Sequence, residues 1–216
     1  MFPGVHLAAV VGAAVLLAGC NTVYYEAMES LGYEKRDLLV GEVEDARDAQ
    51  EKAKEQFADA LEEFTALTGF EGGDLERVYR RLNKEYERSL GRAEDVRARI
   101  TDVERVAEDL FAEWSAELNA YQDRRLRARS EQQLRQTRGE YDRLIAAMRA
   151  AAARMTPVLE TLQDQVLYLK HNLNARAIAS LEGEVDSLEG QVRTLIDEME
   201  AAIEEANRFI NAVAAG

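Results

Sequence analysis

Cysteine is nearly missing from this chain of 216 residues: one is present, so no internal disulfide forms and no cysteine-based zinc site can be built. Histidine is almost as scarce, with two, one of them at position 6, which leaves little material for metal ligation or acid–base chemistry. Only two prolines and 13 glycines are present, so long stretches run without the residues that break helices. Basic charge is short as well. Against 41 acidic side chains stand 27 basic ones, a net charge of -14, and no long basic segment exists to displace phosphate counterions. That balance excludes nucleic acid as a partner. No segment alternates apolar and polar residues with period two, so strands are not expected and the fold class is all-α.

What is present begins with a leader. Leu7 to Leu17 reads LAAVVGAAVLL, an uncharged apolar run of about eleven residues, the length of a signal-peptide core and too short to span a bilayer as a helix. Met1 to His6 carries no Lys or Arg, so its positive charge comes from His6 and the amino terminus, or the chain starts elsewhere. Leu17-Ala18-Gly19-Cys20 follows directly. This tetrapeptide resembles the bacterial lipobox, in which the thiol is diacylated and the chain is then cut before the cysteine. The resemblance implies a signal peptide over 1–19, a lipidated Cys20 with a short tether over 20–23, and a mature domain over 24–216. Asn21 follows the cysteine where an Asp would retain the protein, which by the family rule implies outer-membrane sorting, facing the periplasm of a Gram-negative cell. Three acyl chains would anchor the protein stably, since two membrane signals already suffice.

The rest of the chain is a succession of heptad seams. Spacings of four and three run through Leu39, Val43, Ala46, Gln50, Ala53, Phe57, Ala60, Phe64 and Leu67, with only Gln50 polar. Gly69, Gly72 and Gly73 interrupt this seam, and Asp74 is a candidate N-cap for the next helix. A second seam runs from Leu75 through Tyr79, Leu82, Tyr86, Ser89 and Ala93 to Trp114 and on to Tyr121, with Glu117 as its charged exception. The third joins Leu134, Thr137, Tyr141, Leu144, Met148, Ala151, Met155, Val158 and Leu162. The fourth runs from Leu181 through Val185, Leu188, Val192 and Leu195 to Phe209 and Val213.

The register slips across residues 122–130 and again near 171–178. A continuous helix absorbs such steps of four as stutters, whereas turns would divide the chain. Ser130 with Gln133 reads as a capping box, and Asn172 and Asn174 as turn or cap residues. Cutting at the slips gives helices near 24–68, 75–121, 130–170 and 175–213. Their lengths, roughly 60–70 Å at 1.5 Å per residue, suit an up-down-up-down bundle. Pro157 sits inside the third of these as a kink; if Thr156-Pro157 instead starts a helix, three helices result, with a very long middle one. Ile196, Ile203 and Ile210 flank the last seam and widen it to three apolar positions per heptad, which is a bundle face rather than a two-stranded seam. The expectation is an elongated antiparallel bundle of three or four long, coiled-coil-like helices.

Particular residues also carry a family likeness. Lys35-Arg36-Asp37, Ala46-Arg47-Asp48-Ala49-Gln50, Gly73-Asp74-Leu75, Glu113-Trp114, Met155-Thr156-Pro157-Val158-Leu159 and Leu169-Lys170-His171-Asn172-Leu173-Asn174-Ala175 follow one another after the lipobox. In that order the chain resembles the bacterial lipoprotein family known as domain of unknown function 2959, over essentially the whole mature sequence. The likeness implies a surface-anchored helical protein with no assigned activity.

Candidate chemistry is thin. A di-iron bundle site needs Glu-x-x-His, and Tyr168 stands where that Glu would be relative to His171. Ser180 and Asp186 lie near His171 in sequence, with nothing to gather them around a cleft. Lys170, His171, Asn172 and Asn174 therefore read as a turn or a polar interaction site. The acidic sets Glu62, Glu63 and Asp197, Glu198, Glu200, Glu204, Glu205 read as solvated helix faces rather than calcium ligands. Arg124, Arg125, Arg127 and Arg129 stand out from an acidic chain, either as a solvated face or as a patch for lipid headgroups. No motif pairs a nucleophile with a base, so no enzyme, no metal and no cofactor is expected. The function expected is that of a lipid-anchored envelope scaffold or adaptor with an envelope protein as partner. The alternative is a module that binds or shapes the bilayer through its arginines. If 122–130 is a turn, out along the first helix and back along the second returns those arginines to the anchored end.

Overall fold

The computed structural model describes residues 19–68, 75–172 and 175–214, with side-chain surroundings described for 35–66, 75–172 and 183–213. Four helices account for nearly all of it: α1 Gly19–Thr68, α2 Leu75–Glu117, α3 Arg124–His171 and α4 Ala175–Ala214. They hold 50, 43, 48 and 40 residues, or about 60–75 Å each at 1.5 Å per residue. Among the described residues there is no strand.

Cross-helix partners give the direction of every pairing. Lys35 on α1 meets Glu113 on α2, while Glu63 meets Arg81, so numbers rise on one helix as they fall on the other. The same reversal links α2 to α3 through Arg97–Thr156 and Glu104–Arg149, and α3 to α4 through Arg154–Glu198 and Thr161–Gln191. Arg47–Asn207 and Lys54–Glu200 close the ring between α1 and α4. Among the described residues, backbones approach each other around this ring and not across its diagonals. The chain is an up-down-up-down four-helix bundle, each helix antiparallel to both neighbours.

The seams form its core. Leu39, Val43, Phe57 and Phe64 of α1, Val96, Ile100, Val103 and Leu110 of α2, Leu144, Met148, Met155 and Val158 of α3, and Leu188, Leu195, Met199 and Phe209 of α4 are all buried. Interleaved alanines, such as Ala46, Ala53, Ala107, Ala151 and Ala206, are fully buried and let the backbones approach. The flanking row is real but graded: Ile203 is buried, and Ile196 and Ile210 are partly so. Burial of this many side chains, each worth roughly 1.5–3 kcal/mol, opposes the ordering entropy of long helices that local propensity alone would not hold.

Several boundaries differ from the sequence expectation. The slip at 122–130 is a turn, but α2 already ends at Glu117 and α3 starts at Arg124. The cap is Asp123, whose carboxylate accepts from the backbone N–H of Arg125 at 2.7 Å and of Leu126 at 3.3 Å. Ser130 and Gln133 therefore form no capping box: they lie within α3, because the Asp123 side chain seven residues before Ser130 satisfies the orphan donors first. Tyr121 lies past the end of α2 and is exposed, so the second seam stops short of it. At the start of α2 the buried position is Val78, with Tyr79 partly exposed beside it. Pro157 starts no helix. It lies mid-α3, where its outward, exposed placement and the bonds Thr161 Oγ1 to the Pro157 carbonyl and Arg97 to Thr156 Oγ1, both 3.0 Å, accompany a continuous helix. The proposed break near 172 holds: Asn172 is the C-cap of α3, donating its backbone N–H to the Leu169 carbonyl. Asp74, Gly69, Gly72, Gly73 and Asn174 lie outside the described residues, as does the leader segment 1–18.

Candidate functional site

One end of the bundle gathers most of the features that the sequence singled out. Arg36 and Leu39 of α1, Leu110 and Trp114 of α2, Gln133 of α3 and Val213 of α4 line a small pocket there. Since α4 ends at Ala214, one residue past this pocket, α1 and the α2–α3 hairpin run on beyond it. The hairpin tip thus points toward the end of the molecule where α1 begins, and α1 runs on past it: sixteen residues precede Lys35 in α1, whereas α2 ends four residues after its partner Glu113.

A cluster around the chain's single tryptophan fastens the hairpin to α1. Trp114 is buried, its indole N–H donates to Ser130 Oγ at 2.8 Å, and the Arg36 guanidinium lies 4.4 Å from its ring centre. That contact is within the range where a cation is attracted to the face of an indole. One turn earlier Phe111 meets Tyr141 edge-on at 5.4 Å, with Arg138 over the Phe111 ring at 5.0 Å. Lys35 pairs with Glu113, and that hydrogen bond raises the lysine pKa above its ordinary value. Desolvation, with the nearby Glu113 charge second, raises the carboxyl pKa of Glu117. Burial likewise raises the Tyr141 phenol. Replacing Ser130 by alanine leaves the indole N–H without its acceptor. The expected result is a loss of about 1 kcal/mol in denaturant titrations together with altered emission of the single tryptophan. An unchanged spectrum and midpoint would show that the bond contributes nothing.

At the tip, Arg124, Arg125, Arg127 and Arg129 are all exposed on the first turns of α3. Cys20 falls in the first turn of α1, with its side chain outside the described residues. The bundle fold therefore returns the arginines toward the end of the molecule from which α1 starts, as the four-helix alternative required.

The other candidate lies apart. Lys170 and His171 are exposed in the last turn of α3, where the charge of Lys170 complements the helix dipole. Asn172 is half-buried and donates through Nδ2 to the Tyr168 carbonyl at 3.0 Å, a capping role. Asp186 is exposed, and the side chain of Ser180 lies outside the described residues. The acidic sets are spread through ion pairs: Glu63 with Arg81, Glu198 with Arg154, Glu200 with Lys54, and Glu204 and Glu205 with Arg208. Among the described residues no group of His, Cys, Asp or Glu is placed to hold a metal ion, and no described helix is long and apolar enough to cross a membrane.

Sequence reasoning missed the Arg36–Trp114–Ser130 contact and the Asp123 cap. The cap had a usable signal, an Asp directly before a run of helix-forming residues; the contact had none, because it joins three helices.

Fold and site together define an antiparallel four-helix bundle with a basic hairpin tip. The family model described as a protein of unknown function (DUF2959) matches residues 24–213, and the chain belongs to that family. No curated protein and no solved structure matches it.

Proposed function

We propose that this protein is a non-enzymatic, lipid-anchored component of the cell envelope whose bundle acts as a scaffold or adaptor. The observation that carries the reading is Leu17-Ala18-Gly19-Cys20, which sets the chain's single cysteine directly behind an apolar leader and in the first turn of the first helix of a long bundle. Diacylation of Cys20, cleavage before it and sorting by Asn21 to the outer membrane would leave a rod standing in the periplasm. Its long, ion-paired faces are then available to an envelope protein. Anchoring stands on the lipobox, and the scaffold role on a shape made of helix faces.

Cys20→Ser is the direct test. In cells fed a labelled fatty acid, the wild type should incorporate label and sediment with membranes, while the variant should incorporate none and be uncleaved or cut elsewhere. Equal labelling of both, or neither, would refute the anchor.

A further inference from the structure

We propose that the tip of the α2–α3 hairpin, residues 118–130, is a contact for anionic phospholipid that sets how the bundle stands on the membrane. The nearness of a bilayer rests on the anchored reading above; the contact itself rests on the chemistry of the tip.

Arg124, Arg125, Arg127 and Arg129, clustered within one short stretch, form no ion pair among the described residues. Arg81, Arg99, Arg149 and Arg208 each hold a carboxylate, as an acidic protein readily allows. At 100° per residue the four tip arginines fan over about 200° of the helix circumference, facing away from the bundle on several sides at once. Their position also breaks a local rule. They crowd the first turns of α3, the positive end of its dipole, and no acidic residue lies in that first turn. Within residues 118–130 only the Asp123 cap answers them, four arginines against one aspartate, and the next acid, Glu131, pairs with Arg135. A rule broken without internal compensation points to an anion supplied from outside.

Apolar residues accompany the charge. Leu126 is 49% exposed and Tyr121 40% exposed on the same short segment. Leu126 lies one turn before Ser130 and two before Leu134, on the face that becomes core once the other helices cover it. A leucine and a tyrosine set among arginines match a membrane interface, where the guanidinium forks bind phosphate and the apolar parts enter the headgroup boundary. A flat polyanion would engage the arginines alone and leave both apolar side chains wet. The protein's overall charge of -14 does not forbid the contact, because screening within about 8 Å at physiological salt confines the interaction to the tip, while most carboxylates lie along a rod tens of ångströms long.

The test uses the chain from Cys20 to Gly216 carrying Cys20→Ser, which retains the whole core between Leu39 and Phe209 and has no acyl chain. It should sediment with phosphatidylcholine vesicles containing phosphatidylglycerol and not with phosphatidylcholine alone, less so as salt rises. Each Arg→Gln change at 124, 125, 127 or 129 should weaken partitioning about fivefold, and all four together on the order of a hundredfold or more. Because these side chains are exposed, the circular dichroism melt should not move. Equal binding of the wild type and the fourfold variant, absence of binding to the anionic vesicles, or tighter binding to polyglutamate than to those vesicles would overturn the proposal. Vesicle binding in a protein whose Cys20 is never acylated in cells would sink the anchor and leave this contact standing; acylation without vesicle binding would do the reverse.

Discussion

Leu188→Asp unfolds the bundle, or nearly so, while Glu189→Lys next to it leaves the fold intact. Leu188 is fully buried in the α4 seam. Losing a packed leucine there costs about 2–5 kcal/mol, and a carboxyl group in its place has no partner among the surrounding apolar residues, which adds several more. The sum rivals the roughly 5–15 kcal/mol that holds a typical domain together. Glu189 lies half-exposed on the next position around the helix, where it pairs with Arg193 one turn on. Removing that pair and placing two cations side by side costs about 1 kcal/mol at most. Thermal melts followed by circular dichroism separate the two: equal tolerance of both substitutions would contradict the register of α4.

The second large effect has the opposite sign. Gln50 sits in the α1 seam with no solvent exposure, and neither its Oε1 nor its Nε2 has a hydrogen-bond partner. A buried amide in that state costs about 1–3 kcal/mol relative to a satisfied or apolar one, whereas methionine has nearly the same shape and no such requirement. Gln50→Met should raise stability by about 2 kcal/mol, or roughly 4–8 °C in a domain of this size. A lower melting temperature would mean that the amide is satisfied in solution and that its environment differs from the one described. A polar residue at a single seam position is also a known device for fixing register at a cost in stability. Ser89 on α2, buried with its hydroxyl unpartnered, is a milder instance.

These two residues show how the sequence could be read. Heptad spacing alone placed Leu188 inside and Glu189 out, and it placed Gln50 inside although its side chain argues for water. The strength of that signal comes from length. Over some forty residues a seam repeats often enough that one polar member does not hide it. Helix ends carried less information. Between α2 and α3 two cap signals competed, Asp123 and Ser130 with Gln133, and spacing could not rank them; the register of the core does, because Ser130 is needed as the acceptor for Trp114. Pro157 misled in a similar way, since a proline reads as a helix start or kink unless its place on the exposed side of a packed helix is known. The candidate tip was legible as four arginines in an acidic chain, but not as a tip. Its position toward the end where α1 begins, and its freedom from ion pairs, follow from which helices pack against which.

Mass spectrometry of the amino-terminal peptide, taken from protein purified out of its native envelope, tests the anchored reading most directly. The mature chain should begin at Cys20, with the mass of a diacylglyceryl group and an amide-linked acyl chain on that residue, and nothing of residues 1–19. A free thiol at Cys20 in a chain that still carries the residues before it would contradict the account.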